Sequence, residues 1–383
     1  MKSIATRLEN VKEYYFSHKL REVAGLIKSG KPIINMGIGS PDLGPHPQVV
    51  KALVEAMQHP KAHMYQSYKG SIELREAIVD FYKKFYKVTL DPNTQVLPLM
   101  GSKEGIMHLS MAYLNPGDQV LIPNPGYPTY ASVTSLMEAE SVLYDLKPEN
   151  DWQPDFKFLE GLNTSKIKIM WLNYPHMPSG SDVNEQTFDR LIKWARKSDI
   201  LLVNDNPYSF VLNKKPKSIL SRSGAQEVAV ELNSLSKSFN MAGWRIGMVS
   251  GKAEVLKEVL KVKSNMDSGM FFGVQQGAIA ALKMKPDWFK DLNVIYQERR
   301  SLMEDLIIKF GATFESKSVG LFLWAKLPKG SPAAEAFIDN ILYKKNIFIT
   351  PGTIFGSQGE GYIRFSLCVP KESIKEAIKR MES

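Results

Sequence analysis

Lys237 is a candidate nucleophile. It lies in Ser234-Leu235-Ser236-Lys237-Ser238-Phe239-Asn240-Met241-Ala242-Gly243-Trp244-Arg245-Ile246-Gly247, just past an apolar strand-like run, among hydroxyl residues and eight positions before an arginine. Two readings of this stretch stand open: an ordinary solvated loop, or an amine that forms a Schiff base with a carbonyl cofactor whose phosphate is held by Ser234 and Arg245. A free lysine has a pKa of about 10.4, so nucleophilic use near neutrality needs desolvation or a neighbouring positive charge. Arg245 is a candidate both for that and for phosphate. Asp205 closes the apolar run Ile200 to Asn204, and the C-terminal end of a strand in an open α/β sheet faces the ligand crevice. Taken alone, Asp205-Asn206-Pro207-Tyr208 also fits a plain turn. Gly101-Ser102-Lys103-Glu104-Gly105 follows a strand ending at Met100 and opens a helix. The N–H groups of Ser102 and Lys103, with the Ser102 hydroxyl, are the expected anion ligands there, although strand, Gly-Ser and helix is also a common N-cap.

These residues need a scaffold, and the pattern supplies one. Apolar runs at Gln95–Met100, Gln119–Pro123, Lys166–Leu172, Ile200–Asn204, Val228–Leu232 and Arg245–Ser250 alternate with helical stretches such as Lys103–Leu114 and Glu185–Lys197. Strands separated by helices predict an α/β domain with a mostly parallel sheet and flanking helices. From about Trp288 the texture becomes α+β, with a long helix to Lys309, strands at Gly320–Lys326, Ile347–Thr350 and Tyr362–Leu367, and a closing helix. The expected division is a large domain over 45–285, and a smaller one built from 1–44 together with 286–383. A helix from Glu9 to Ser29, ended by Gly30, is expected to pack on the smaller one.

Composition narrows the class. With 383 residues, 44% hydrophobic and 23% charged, the chain can bury a large core, which excludes disordered, collagenous and disulfide-scaffold classes. Cys368 is the only cysteine, so no intrachain disulfide and no cysteine zinc cluster can form, and no metal is expected. No signal-peptide core or apolar run near the ~20 residues of a membrane span is present; the expectation is a soluble cytoplasmic protein. The 49 Lys+Arg against 40 Asp+Glu leave a net charge of +9. These lysines are scattered, and Lys252, Lys257, Lys261 and Lys263 have the spacing of a solvated helix face. With no zinc-finger spacing and no RNP-like aromatic motif, small anions are expected partners rather than nucleic acid.

Taken together, the motifs resemble the class I/II, fold-type I aminotransferases that use pyridoxal 5'-phosphate. The lysine block ends in the family's Gly-Trp-Arg-x-Gly, and further matches follow the family's order from residue 36 to residue 366. The resemblance implies a seven-stranded-type, mostly parallel sheet plus a smaller α+β domain. It makes Lys237 the Schiff-base lysine, with Asp205 paired to the pyridine nitrogen and Tyr208 donating to the ring's phenolic oxygen. Tyr127, in Asn124-Pro125-Gly126-Tyr127-Pro128-Thr129-Tyr130, takes the place of the aromatic that stacks on the ring. Tyr65, in Tyr65-Gln66-Ser67-Tyr68-Lys69-Gly70 before Leu74-Arg75-Glu76-Ala77, takes that of a tyrosine reaching the partner subunit's cofactor phosphate, which implies a homodimer. Arg364, in Gly361-Tyr362-Ile363-Arg364-Phe365-Ser366, would clamp the substrate α-carboxylate with its planar fork, joined by the backbone of Gly39 in Gly37-Ile38-Gly39-Ser40-Pro41-Asp42.

The implied reaction moves an amino group between an L-amino acid and a 2-oxo acid, in amino-acid metabolism or biosynthesis. A carbon–sulfur β-lyase on the same scaffold would share Lys237, Asp205 and Arg245. A non-catalytic cofactor-binding regulatory protein is a further alternative, though the motifs begin near residue 36 and leave no room before them for a DNA-binding domain. One departure stands out. Where the family reads Asn-x-Pro-x-Asn-Pro-Thr-Gly, this chain has Asn173-Tyr174-Pro175-His176-Met177-Pro178-Ser179-Gly180, so Met177 replaces a donor to the phenolic oxygen. Methionine offers only a weak acceptor sulfur. Tyr208 is then the main donor, with Asn173 or His176 as possible helpers, and the Schiff base is expected to keep its proton to higher pH. Substrate choice stays open among aromatic, methionine-like, alanine and diaminopimelate side chains. Lys263–Gly273 carries no arginine of the kind that binds a second carboxylate, and its methionines and phenylalanines fit an apolar pocket or plain core packing.

Overall fold

The computed structural model describes residues 4–9 and 15–382. Its centre is a seven-stranded sheet of β1 (Val96–Leu99), β2 (Gln119–Asn124), β3 (Glu140–Asp145), β4 (Ile167–Leu172), β5 (Leu201–Asp205), β6 (Ala229–Ser234) and β7 (Gly247–Gly251). The spatial order is β1-β7-β6-β5-β4-β2-β3, parallel except for β7, which runs against both of its neighbours. Successive side chains of a strand point to opposite faces, and both faces here are covered. Val120, Ile122, Ile169, Trp171, Val203, Val230 and Leu232 pack into one cluster, while Leu121, Met170, Leu172, Leu202 and Met248 pack into the other. Double burial is why the central strands read as near-continuous apolar runs. The expected strands are all present within a few residues. Edge strand β3 went unanticipated because most of its residues are at least partly exposed and it has no apolar stripe.

A second, antiparallel sheet orders Thr350–Pro351, Tyr362–Ser366, Phe322–Lys326 and Thr313–Phe314, with Trp324 opposite Arg364. Ile34–Asn35 pairs in parallel with Ile347–Phe348, so the chain starts beside its own C-terminal third before it crosses to the large sheet. The first helix spans Tyr15–Lys28; the expected start near Glu9 falls partly outside the described residues. It docks on the helix Ala334–Lys345 through the Lys19–Asp339 ion pair at 2.6 Å and a Tyr343–Glu22 hydrogen bond, as expected of a segment packing on the later part of the chain. Gly30 follows with φ +87°, a backbone that glycine adopts without strain.

The lysine series around Lys263 needs correction. Lys257 and Lys261 are exposed, but Lys263, at the end of the helix Ala253–Lys263, is only 1% exposed and pairs with Asp267 at 2.6 Å. Helical spacing placed it with its neighbours; the turn after the helix brings Asp267 back onto it. Asp267 also lies beside Glu104 and His108, and Lys263 supplies the cation for a partly buried carboxylate.

Beneath the end of β5 a second carboxylate is buried. Glu231 of β6 accepts from Tyr82 Oη at 3.1 Å, Asn204 Nδ2 at 3.0 Å, Ser218 Oγ at 2.9 Å and Ile219 N at 3.2 Å. Burial pushes its pKa up to about 7 against the opposing pull of those donors. The folded state therefore holds this proton more tightly than the unfolded chain does. Its stabilising contribution is complete below the ordinary carboxyl pKa of about 4.5 and is lost as pH rises through 7. Glu231→Gln should remove that dependence, so that the variant gains on the wild type by on the order of 3 kcal/mol between pH 4 and pH 8 in urea titrations. Parallel curves for the two proteins would contradict it.

Candidate active site

A cavity of about 340 Å³ opens at the C-terminal ends of the parallel strands, lined by Gly39, Ser102, Lys103, Tyr127, Asn173, Asp205, Tyr208, Ser234, Lys237, Arg245 and Arg364 among others. The candidate residues are thus brought together except Tyr65, which is 91% exposed and lies outside the cavity, and His176, which does not line it. Position in the fold explains the convergence. Asp205 and Ser234 end β5 and β6, Asn173 follows β4, and Lys237 sits on a single helical turn after β6.

One end of the cavity is built for an anion. The helix α1 (Ser102–Tyr113) has Gly101 as N-cap, with no side chain bonded to its first N–H groups, so those donors stay open. Arg245 has φ +53° and donates to the Ala242 carbonyl at 3.0 Å. Its guanidinium lies over Gly101, where a Cβ would come within 2.2 Å of a terminal nitrogen; a Cβ on Gly247 would lie 2.7 Å from Ser102 N. Ser234 Oγ accepts from Ser236 N at 3.1 Å and contacts Ser236 Oγ at 2.9 Å. Ser236 also lines the cavity. Its place next to Lys237 was the available signal, but a serine in a hydroxyl-rich turn has no spacing that singles it out.

The opposite polar feature is Asp205. Its Oδ2 accepts from Tyr130 Oη at 3.0 Å, while Oδ1 is buried without a hydrogen-bond partner. Burial pushes its pKa up to about 7, against the pull of the Tyr130 hydrogen bond and the Lys237 charge. Tyr130 stacks on Trp171 at 4.9 Å with the rings 6° from parallel; it belongs to the Asn124–Tyr130 motif, but its hydrogen bond to Asp205 depends on tertiary packing. Asn173 Nδ2 donates to the Asp205 carbonyl at 2.7 Å, and its Oδ1 accepts from Met177 N at 3.0 Å. His176 does not fill the role left open for it. Its ring nitrogens contact Ser179 Oγ at 2.6 Å and the Pro125 carbonyl at 3.0 Å, so it serves the turn rather than the cavity.

Lys237 Nζ donates to the Gly39 carbonyl. Burial lowers its pKa, and the charges of Arg364 and Arg245 act in the same direction, which favours the neutral, nucleophilic amine. Arg364 donates to the Gly37 carbonyl at 2.8 Å and to Met177 Sδ at 3.3 Å. Its guanidinium lies 4.0 Å from the Phe322 ring centre and 4.6 Å from that of Phe355, a desolvated cation–π setting. Phe322 was missed because its place beside Arg364 depends on pairing between strands more than thirty residues apart, Phe322 being opposite Ser366. Cys368, just past that strand, is buried, and burial pushes its thiol up to about 11.

A doubly covered, mostly parallel sheet with an amine, a buried carboxylate and a helix-terminal anion cradle at its strand ends is the architecture of the fold-type I aminotransferases. Residues 31–381 match the family model "Aminotransferase class I and II", and the chain belongs to that family. It is 38% identical over 385 residues to an LL-diaminopimelate aminotransferase of Aquifex aeolicus (strain VF5), covering 100% of this chain and 99% of the relative. It is 37% identical to one from Halothermothrix orenii, over 99% of this chain and 98% of that one. Apo-BacF of Bacillus subtilis superposes with a TM-score of 0.96 at 35% identity, covering 100% of this chain and 98% of that one. A Thermus thermophilus aspartate aminotransferase mutant, 22% identical with a TM-score of 0.92 over 99% of both chains, shares the fold. The protein is an aminotransferase, an enzyme that transfers nitrogenous groups.

Gly101→Ala tests the anion cradle. A Cβ at φ +90° is strained, and it would meet Arg245. The variant should bind pyridoxal phosphate at least tenfold more weakly while its affinity for pyridoxal, which lacks the phosphate, stays within twofold; equal losses for both would show a general disturbance of the site.

Proposed function

We propose that this chain holds pyridoxal 5'-phosphate in the cavity described and uses it to exchange the amino group of an L-amino acid with a 2-oxo acid. The observation that carries this reading is the meeting of Lys237, the open oxygen of Asp205 and the cradle of Ser102, Ser234 and Arg245 around one space. The residues fit the group: the unpartnered Asp205 Oδ1 needs a donor, which a protonated ring nitrogen supplies, and the α1 terminus with Arg245 needs an anion. Pyridoxal phosphate, when bound, supplies the electron sink that makes the amino acid's Cα–H bond acidic.

The chain's own residues do the rest. The N–H groups of Ser102 and Lys103, with the hydroxyl of Ser234 and the guanidinium of Arg245, hold the phosphate. Asp205, oriented by Tyr130 and Asn173, would keep the ring nitrogen protonated. Tyr127 would cover the ring, and Tyr208 would donate to its phenolic oxygen; both line the cavity. Lys237 would be the amine that holds the cofactor and, when free of it, the base that moves the proton of the substrate Cα. Arg364 and the backbone of Gly39 hold the α-carboxylate. Phe322, Phe355 and Ile354 keep water from that end of the cavity, which strengthens the charge pairing there.

The proposal extends to a homodimer in which Tyr65 reaches the partner's phosphate. It is supported by the exposure of Val50, Val54, Met64, Tyr65, Tyr68 and Phe271 on segments that touch one another: His59 and Phe272 rings lie 5.5 Å apart, and a Cβ on Gly269 would meet the Gln66 carbonyl. The division into 45–285 and 1–44 with 286–383 follows the same reading, the cavity lying where the two parts meet. Two donors are favoured by separate observations. The names of the relatives favour LL-diaminopimelate, whereas the apolar wall of Tyr127, Met177, Phe322, Ile354 and Phe355 favours an amino acid with an apolar side chain.

The test offers LL-diaminopimelate, L-phenylalanine and L-methionine in turn with 2-oxoglutarate. Glutamate formation supports transfer, pyruvate with ammonia from a β-substituted donor would indicate elimination, and the preferred donor separates the two substrate readings. Lys237→Ala should retain the cofactor and lose turnover by at least a thousandfold; near-normal turnover would overturn the assignment. Met177→Asn, which restores a donor toward the phenolic oxygen, should lower the apparent pKa of the visible absorption band in the cofactor-loaded enzyme, and an unchanged midpoint would refute the role given to Met177.

A further inference from the structure

The segment from Gly37 to Gly44 carries the Gly39 carbonyl over Lys237 without regular structure of its own. Its beginning is fixed by strand-like bonds: Met36 N to the Phe348 carbonyl at 2.8 Å and Ser366 N to the Met36 carbonyl at 2.8 Å. Beyond Gly37 its polar ties are few. Gly39 accepts from Lys237, Gly44 accepts from Asn240 Nδ2 at 3.2 Å, and Asp42 forms a two-pronged ion pair with Arg299, at 2.6 Å from Oδ1 to one terminal nitrogen and 2.8 Å from Oδ2 to the other. Arg299 is 4% exposed and projects from the long helix α2 (Asp287–Lys309). The nitrogen that meets Asp42 Oδ1 also donates to the Leu367 carbonyl at 3.0 Å.

The spacing of these contacts is informative. Asp42 lies three residues past Gly39, and Leu367 three residues past Arg364, so a single guanidinium ties together the two chain segments that flank the carboxylate site. Packing leaves the Gly39 segment little choice of path, because a Cβ on Gly39 would come within 2.3 Å of the Phe322 ring, the ring that also covers Arg364. The Lys237–Gly39 bond, by contrast, cannot hold the segment throughout the reaction, because Lys237 must leave it to bond the cofactor and move protons. The ion pair is the charged tie that remains.

We propose that Asp42 and Arg299 are positioning residues that set the separation between the Gly39 backbone and Arg364, and so determine affinity for the α-carboxylate shared by amino-acid and 2-oxo-acid substrates. This rests on the reading that Arg364 binds that carboxylate. A bidentate arginine is needed because lysine, a single point donor, cannot hold both carboxylate oxygens and the Leu367 carbonyl in one plane.

The experiment measures steady-state kinetics of the cofactor-loaded enzyme with 2-oxoglutarate as the varied acceptor, in Asp42→Asn, Arg299→Lys, Asp42→Glu and, as control, Arg364→Lys. Asp42→Asn and Arg299→Lys should each raise KM for 2-oxoglutarate about tenfold with kcat within threefold of wild type, the signature of lost uniform binding. Their visible absorption band and cofactor retention should be unchanged, and Asp42→Glu, which keeps the carboxylate, should recover KM to within threefold. Should Arg299→Lys fail to fold, Asp42→Asn, at a partly exposed side chain, decides alone. A KM change below twofold, a fall in kcat alone, or loss of cofactor overturns the proposal. If Arg364→Lys raises KM and the pair variants do not, only the positioning role fails. If Arg364→Lys also leaves KM unchanged, the carboxylate reading itself falls.

Discussion

A carboxylate buried at the end of a strand is the constraint on which this site is built. Asp205 has lost its water, and desolvation alone drives it toward the protonated acid. Its surroundings partly counter this with the Tyr130 hydroxyl and, more distantly, the ammonium of Lys237. One oxygen is left facing a space with no protein donor. An orphaned acceptor in such a place costs free energy unless a ligand completes it, and in the proposed function that ligand brings a proton on nitrogen. The pairing is mutual. A buried carboxylate stabilises a cationic ring nitrogen far more than a solvated one does, because the same low dielectric that penalises the lone charge strengthens the pair.

The cations of the cavity are handled by the complementary logic. In the proposed function Lys237 acts as a base, and burial, with the charges of Arg364 and Arg245, lowers its pKa toward the neutral form. The two arginines stay charged in any setting, and Arg245 donates to the Ala242 carbonyl. Arg364 meets the Gly37 carbonyl, the Met177 sulfur and two aromatic faces. These partners orient the guanidinium, which in the proposed function meets the substrate carboxylate. Met177 belongs to this arrangement: its soft sulfur faces the arginine.

The scaffold turns these local preferences into fixed geometry. Asp205, Ser234 and Asn173 are set at neighbouring strand ends because β4, β5 and β6 are adjacent and in register. Glu231 and Asn204 continue a hydrogen-bonded layer beneath them, and Asn204 also accepts from Tyr174 N at 3.1 Å, at the start of the turn that carries Met177. The second sheet approaches with Arg364 and Phe322 on paired strands, and the Gly37–Gly44 segment crosses between the two sheets. The walls of the cavity are thereby attached to both sheets and to the segment between them, as positioning of reacting groups requires.

Much of this was legible in the order of residues. Strand runs that are buried on both faces must be apolar throughout, so the central sheet announces itself, and Lys237, Asp205, Ser102, Arg245 and Arg364 stand in short motifs whose residue types fit only a few chemistries. What the sequence could not decide are matters of distance between segments far apart in the chain. Tyr130 as the partner of Asp205, Phe322 as the cover of Arg364, Lys263 drawn inward by Asp267, His176 spent on its own turn and Arg299 bridging Asp42 to Leu367 all depend on strand register and helix packing. Local sequence sets backbone preference and the polarity of each face; which polar groups meet once water is excluded is a property of the packed whole, where a shift of about an ångström separates a hydrogen bond from an unsatisfied charge.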